Sequence, residues 1–553
     1  MPTGAQLFVE SLMTLGVREI FTLVGDHLNA ALSYAASRGL RIIDVRHESG
    51  AVHAADIVGR QRRTPAVSLV TGGPGHTNSL TGIATAYAAG SPLIAVSGAA
   101  ATGPAGRQVF QVIDQVGMAA PVVKWSAQPA SAAQIPYLMR RAWMEAISGR
   151  MGPVHLSIPV DVFTAEAAAP LPAHPPALRP APYPGVDDVE RAIRLLRQAK
   201  RPIVIAGSGV WWADAGEELR RFLQLTKLPY YSITMARGVV PDDYDYSMGY
   251  ADPALNRAVL KSFPEADVVL ILGKRLDSRM ALGGPALFTP QAKIIQVDIH
   301  APELGNTRQL DLGICADARS TLEMLNGALG RTEWVERADW LEQIRQHRDE
   351  WQAQVAASAS DRSLPIHPAA AFAAIRDQVS ECLYAWDGGN FVHWGRVVLP
   401  ARRPGGWVRL GPMATIGAGL PNAIGLQLAN PTERVLMITG DGSLGFYIAE
   451  LDTLVRHNLP VVILVGNDAG WGVERDLQGA SEGTAVGCEL RPTRYDLVMK
   501  AFGGEGENII SLDELPPALA RAFAAHKPYL LNVNIRAIRS PFTEWVIGRK
   551  KSA

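Results

Sequence analysis

Two aspartates set the chemistry of this chain. In ITGDGSLGFYIAELDTLVRHNLPVVILVGNDAGWG, residues 438–472, an apolar run leads into Gly440-Asp441-Gly442-Ser443, and a second run, VVILVG, ends in Asn467-Asp468. If both runs are strands of one parallel sheet, they finish at the same edge, where ligands of open α/β sheets bind. Asp441 and Asp468 then converge. Two carboxylates, a backbone carbonyl just beyond the second and the oxygens of a diphosphate would complete the octahedral shell of Mg²⁺. The amides of Gly442 and Ser443, opening a helix with apolar positions at Leu444, Ile448, Leu451 and Val455, would receive phosphate oxygens. A Gly-Asp-Gly turn alone only joins a strand to a helix; the second half at this spacing turns the reading toward a metal diphosphate. A third acid, Glu48, follows the apolar run RIIDV and opens a helical segment in DVRHESGAVHAAD. By itself it reads as a favourable charge on a helix dipole.

These residues need sheets to carry them. In residues 1–165, REIFTLVG, RIIDV, AVSLVTGG and LIAVSG read as buried parallel strands, each followed by an amphipathic stretch. A second block, residues 187–330, holds RPIVIAGSGV, VVLILG, KIIQVDI and ICAD, and a third, residues 365–540, holds LYAWDGGN, RVLMITGDGS, PVVILVGND and YLLNVNI. A proline-rich stretch from Pro170 to Pro184 separates the first two as an extended connector, and residues 541–553 form a tail. The expectation is an α/β protein of three consecutive doubly wound parallel-sheet domains.

Composition agrees. The chain has 553 residues, 48% hydrophobic and 19% charged, enough to build several cores. Lys+Arg and Asp+Glu are 53 each, so no electrostatic footprint for nucleic acid or an anionic membrane is expected. Cys315, Cys382 and Cys488 are too few and too scattered for a disulfide framework. Neither a signal peptide nor a membrane span is read, and a cytoplasmic enzyme is expected.

The segments VGDHLNAAL, DVRHESGAVHAAD, GGPGHTN, QVIDQVGMAAPVVKW, ATIGAGLPNAIG, GDGSLGFYIAELDTLVR and GNDAGWG span residues 25 to 472 in one order. Together they resemble thiamin diphosphate enzymes of the acetolactate synthase/pyruvate decarboxylase superfamily, most closely the benzaldehyde lyase and 2-hydroxyacyl-CoA lyase branch. The resemblance implies pyrimidine-binding, central and diphosphate-binding domains, with each cofactor held between two subunits of a homodimer or homotetramer. Glu48 matches the glutamate that activates the aminopyrimidine. Pro74 and Asn78 match the loop near the pyrimidine, and Gly388, Gly389 and Asn390 the loop over the diphosphate. Ile416 matches the aliphatic wedge that bends the cofactor, with the Ala414 carbonyl accepting from its amine. Asp441, Asp468 and the Gly470 carbonyl match the Mg²⁺ ligands, and Trp471 and Gly472 lie beside the diphosphate. The family's usual ending is Asn-Asn; Asp468 departs from it and adds a negative charge.

On the substrate side, His27 matches an active-site histidine of benzaldehyde lyase and Gln111 a glutamine shared with acetolactate synthase. Proton shuttling by His27 and orientation of an oxyanion by Gln111 are the roles implied, although Asp26 beside the histidine is unlike benzaldehyde lyase. AGSGVWW and LGKRLDSR resemble the segments that bind FAD or ADP in relatives. Single glycine-rich turns mostly just close a βα turn, so they do not by themselves require a nucleotide. The function implied is a carbon–carbon lyase/ligase acting on 2-hydroxyacyl-CoA, aldehyde or ketone substrates. Acetolactate synthase, which uses a 2-keto acid, and benzaldehyde lyase are the rival activities. The tail, with Phe542, Trp545, Val546 and Ile547 followed by Arg549, Lys550 and Lys551, is read as a lid over a thioester. A silent cofactor-binding homologue is the alternative class, and retention of Glu48, Asp441 and Asp468 argues against it.

Overall fold

The computed structural model describes residues 1–103, 107, 109–172, 181–331 and 333–552. The expectation for the proline-rich connector therefore falls, over 173–180, outside the described residues. Each block of apolar runs forms a six-stranded parallel sheet with helices around it. The first sheet contains β1 (Glu19–Leu23), β2 (Arg41–Asp44), β3 (Ala66–Val70), β4 (Leu93–Ala99), β5 (Ser126–Ala127) and β6 (Pro153–Pro159). The second contains β7 (Pro202–Ala206), β8 (Tyr230–Ser232), β9 (Ser247–Tyr250), β10 (Val268–Leu272), β11 (Lys293–Asp298) and β12 (Leu312–Cys315). The third contains β13 (Leu383–Trp386), β14 (Trp407–Arg409), β15 (Val435–Gly440), β16 (Val462–Asn467), β17 (Glu505–Ile509) and β18 (Tyr529–Asn534). Central strands such as β7, β10 and β16 are buried along their whole length, because helices cover both faces; that is why they read as unbroken apolar runs.

The first sheet runs β2-β1-β3-β4-β6-β5 and the third runs β14-β13-β15-β16-β18-β17, the same order in two copies. The helices that follow β2 and β14, Glu48–Arg62 and Gly419–Ala429, lie against each other and join the two domains in one apolar core containing Ile57, Ile424 and Leu451. Their approach is close enough that a Cβ on Gly425 would sit 2.3 Å from the Ala54 carbonyl oxygen. Only glycine fits there. The second sheet runs β12-β11-β10-β7-β8-β9, so its chain order reverses between β7 and β10, the place where such sheets open a ligand crevice.

One expectation is modified. The helix read after Asp441 is one α turn, Asp441–Leu444, then a 3₁₀ turn, Gly445–Tyr447, and a second helix, Glu450–Arg456. The tighter turn leaves Phe446 exposed and swings Glu450 onto the first domain. There its carboxylate accepts from the backbone N–H groups of Arg46 and His47, each at 3.1 Å. Among the described residues no helix is long and apolar enough to cross a membrane.

Candidate active site

The two equivalent sheets open two equivalent crevices, at the carboxyl ends of β1/β3 and of β13/β15. The third-domain residues matched to the cofactor, Gly388 to Asn390, Ala414, Ile416, Asp441 to Ser443, Asp468 and Gly470 to Gly472, line one cavity of about 770 Å³ at the second of these. Asp441, just after β15, is 1% exposed; its Oδ2 accepts from the Gly470 N–H at 3.0 Å, and its buried Oδ1 has no hydrogen-bond partner among the described residues. Asp468 follows β16, and its Oδ2 accepts from Arg475 Nη2 at 2.7 Å. Burial, and then the charge of Asp468, hold the Asp441 carboxyl above the usual carboxylate range; burial also raises Asp468, against the pull of Arg475. Two crowded carboxylates with an unused buried oxygen could hold a cation, whose charge would relieve their repulsion.

Asp387 holds the surrounding loops together, and the sequence reading passed over it. Its Oδ1 accepts from Gly388 N at 2.8 Å and Gly417 N at 2.9 Å, and its Oδ2 from Gly419 N at 3.1 Å. The loop carrying Gly388, Gly389 and Asn390 is thereby pinned to the loop carrying Ala414 and Ile416. Burial pushes this carboxyl up to about 6, with the three amides pulling it back. Ala414 (φ 51°) and Ala469 (φ 52°) are left-handed although neither is glycine. Such strain gathers where function over-determines the backbone. Asn467 braces the second loop, donating to the Thr493 carbonyl at 2.9 Å and to Asn532 Oδ1 at 3.0 Å.

Glu48, Pro74, Asn78, His27 and Gln111 do not line this cavity. They gather instead at the β1/β3 crevice of the first domain. Glu48 opens the helix Glu48–Arg62, is 7% exposed, and its Oε2 accepts from Asn78 Nδ2 at 3.0 Å. Pro74 opens the helix Pro74–Ala89, and Gln111, left-handed at φ 60°, lies against Gly73. His27 Nδ1 lies 2.9 Å from Thr71 Oγ1. Thr71 and Gln115, which brace this crevice through long-range contacts, were not found from sequence. The chain thus presents two separate clusters, each with exposed apolar side chains nearby: Val24, Phe110 and Val112 at the first, Met413 and Phe446 at the second.

The cavity continues into the central domain, past Ser208 and Gly209 after β7, Gly273 after β10 and Asp298 at the end of β11. A Cβ on Gly273 would lie 2.4 Å from Gly209 Cα, so the two turns meet backbone to backbone. On another wall stand Arg279, Arg396 and Arg409. Arg396 Nη2 and Arg409 Nη1 both donate to Tyr250 Oη, at 2.8 and 2.5 Å, and among the described residues neither arginine has a carboxylate partner. Only Arg279 does, in Asp252 at 3.2 Å. Arg396 is 5% exposed, its Nε has no partner, and burial with the charge of Arg409 lowers even this guanidinium to about 10. The tail, a helix Pro541–Ser552, lies against helices Asn390–Val398 and Gly472–Glu482, with Phe542 in the cavity wall. Thr543 Oγ1 donates to Asn390 Oδ1 at 2.7 Å, and Arg549 stacks on Trp545.

Comparison with known proteins assigns each domain. Residues 2–118 match the model "Thiamine pyrophosphate enzyme, N-terminal TPP binding domain", residues 189–325 the "central domain" and residues 387–533 the "C-terminal TPP binding domain". A probable acetolactate synthase of Mycobacterium bovis is 34% identical over 96% of this chain and 95% of its own. 2-Hydroxyacyl-CoA lyase 1 of Homo sapiens is 29% identical over 96% and 94%, and the acetolactate synthase isozyme 3 large subunit of Escherichia coli 31% identical over 94% and 92%.

Proposed function

The chain belongs to the thiamin diphosphate-dependent lyases and carboligases of the acetolactate synthase/pyruvate decarboxylase superfamily, and from that premise we propose that its substrates are 2-hydroxyacyl-CoA thioesters. The carrying observation is the arginine wall. Among the described residues, Asp252 is the one carboxylate ion-paired with Arg279, Arg396 or Arg409, which leaves about two positive charges in that wall for a ligand to meet. A phosphate group, carrying about −1.5 to −2 charges, matches that surplus, whereas a simple carboxylate leaves part of it unmet. The tail helix beside this wall would cover the long thioester arm. The higher identity to an acetolactate synthase favours a second reading, decarboxylation of a 2-keto acid with transfer of the remaining acyl unit.

The third-domain half-site fits a metal diphosphate. The unused Asp441 Oδ1 and the Asp468 carboxylate would hold Mg²⁺ with the Gly470 carbonyl, while Gly388, Gly389, Asn390, Gly442 and Ser443 would receive the diphosphate. Gly442 admits the Trp471 ring, which a Cβ would meet at 2.9 Å. When bound, thiamin diphosphate supplies a nucleophilic carbon and a sink for the electron pair of the broken C–C bond. Glu48 would hold a proton on the carboxylate that Asn78 orients, the Ala414 carbonyl would accept from the pyrimidine amine, Ile416 would set the cofactor's bend, and Gln111 would orient the substrate oxygen. Since Glu48 and Asp441 occupy separate clusters with exposed apolar side chains nearby, we assign the complete site to two chains, in a homodimer or homotetramer. An adenine nucleotide such as ADP or FAD would suit the central crevice between Gly209, Gly273 and Asp298.

The test is turnover. Purified protein with Mg²⁺ and thiamin diphosphate is expected to cleave a 2-hydroxyacyl-CoA between its first and second carbons, to an aldehyde one carbon shorter than the acyl chain and formyl-CoA. Arg409→Gln and deletion of residues 541–553 are expected to raise KM for the CoA ester about tenfold or more, and KM for benzoin little. Efficient conversion of pyruvate to acetolactate, with no CoA ester consumed, would replace this reading with the second.

A further inference from the structure

The first half-site specifies where the proton of His27 sits. His27 follows β1, is 7% exposed, and turns its Nδ1 inward, 3.3 Å from the Gly72 N–H and 2.9 Å from Thr71 Oγ1. A backbone amide can only donate, so Nδ1 carries a lone pair, and a neutral imidazole then bears its hydrogen on Nε2. The Thr71 hydroxyl is likewise a donor to Nδ1. Nε2 makes no hydrogen bond to any described residue. The loop that imposes this is itself braced. Gln115, 4% exposed, accepts from the Gly73 N–H through Oε1 at 3.0 Å and donates through Nε2 to the Gly98 carbonyl at 3.0 Å and to Ser157 Oγ at 2.9 Å. A donor-only amide on one side and an acceptor-only carbonyl on the other leave the Gln115 amide one orientation. Burial, which outweighs the opposing charge of Asp26, lowers the His27 pKa and favours the neutral ring.

We infer that His27 is a hydrogen-bond donor, through Nε2–H, to the reacting carbonyl oxygen of the substrate and not its general base, with Thr71, Gly72 and Gln115 as the positioning residues that set its tautomer. Placing substrate beside this histidine rests on the function proposed above; the tautomer does not. Negative charge grows on a carbonyl oxygen when its carbon is attacked, and a fixed N–H directed at that oxygen stabilises it. A base would need a free lone pair on the substrate side. The only lone pair of this ring is Nδ1, turned into the protein and taken by two donors. This replaces the shuttle role that resemblance implied.

Two measurements test it. In ¹⁵N-histidine-labelled protein at pH 7, the His27 signal, identified by its loss in His27→Gln, is expected to show a protonated Nε2 and a bare, hydrogen-bonded Nδ1, and Thr71→Val is expected to mix the tautomers. In turnover, Gln keeps an N–H donor near the place of Nε2 while Leu keeps none. His27→Gln is therefore expected within about tenfold of wild-type kcat, and His27→Leu about 10²–10³-fold down with little change in KM. The kcat/KM pH profile of His27→Gln is expected to superimpose on that of the wild type. A protonated Nδ1, or an imidazolium at pH 7, would overturn the tautomer whatever the substrate is. A His27→Gln variant as inactive as His27→Leu, with an ascending histidine limb lost from its pH profile, would overturn the donor role. Lack of turnover of any CoA ester by the wild type would count against the proposed substrate and leave the spectroscopic result standing.

Discussion

A carboxylate at position 468 places a second full charge beside Asp441, and Arg475 stands at 2.7 Å to meet it. Asp441→Ala removes the acid whose Oδ1 is unused. It is expected to lower Mn²⁺ affinity, read by equilibrium dialysis in the presence of thiamin diphosphate, by at least tenfold, and unchanged affinity would sink the metal assignment. Glu48→Gln keeps an oxygen for Asn78 but cannot share a proton. Thermal stability and cofactor binding are expected to stay near wild type while turnover falls by orders of magnitude; near-normal turnover would show Glu48 to be only a helix-dipole charge. The settings of both acids were legible because they are local, a glycine turn at a strand end and a helix start. Asp387, Thr71 and Gln115 were not: Asp387 and Gln115 act by bracing backbone amides of distant loops, and Thr71 by meeting the ring of His27, 44 residues away.

At the scale of elements, the approach of helices Glu48–Arg62 and Gly419–Ala429 depends on bare backbone at Gly425. Gly425→Leu drives a side chain into the Ala54 carbonyl and is expected to destabilise the protein by about 3 kcal/mol or more, seen as an early thermal transition. An unchanged melting temperature would mean that the helices can part freely. The long central strands were readable as apolar runs, as was the opening of Glu48–Arg62 at its acid. The strands β5, β8 and β14 are two or three residues long, too short for any period to show. β6 is fully buried yet carries His155 and Ser157, whose polarity is satisfied by Ser97, Ser126 and Gln115 once folded, so in sequence it does not look apolar. The 3₁₀ turn at Gly445–Tyr447 was missed because the apolar spacing of Leu444, Ile448, Leu451 and Val455 reads as one continuous helix across it, although glycine is a poor helix former.

At the scale of the molecule, three buried histidines tie stability to pH. His53 and His76 are lowered to about 4 and His155 to about 3, each chiefly by burial. Unfolded, they titrate near 6.5, so between that value and about 4 the unfolded chain binds more protons, and stability falls as pH falls. Each costs about 2 kcal/mol by pH 5, so calorimetry is expected to show a markedly lower Tm at pH 5 than at pH 7, and a flat Tm would refute the linkage. The assembly makes its own prediction. Chains carrying Glu48→Gln and chains carrying Asp441→Ala, each inactive alone, are expected to regain activity when mixed under conditions that let subunits exchange, because one mixed site in the pair receives two sound halves. No recovery after demonstrated exchange would place both halves of the site in a single chain.

The shared strand order of the first and third sheets carries a consequence for ancestry. Two copies of one topology, packed through corresponding helices, are what duplication of a gene segment would leave. In each copy the crevice lies at the same two strand ends, but one carries the acid, the histidine and the glutamine while the other carries the aspartates and the glycine loops. A duplication of this kind frees each copy to lose what its twin retains. Two complementary clusters, each lacking the chemistry of its twin, are the pattern such mutual loss would leave.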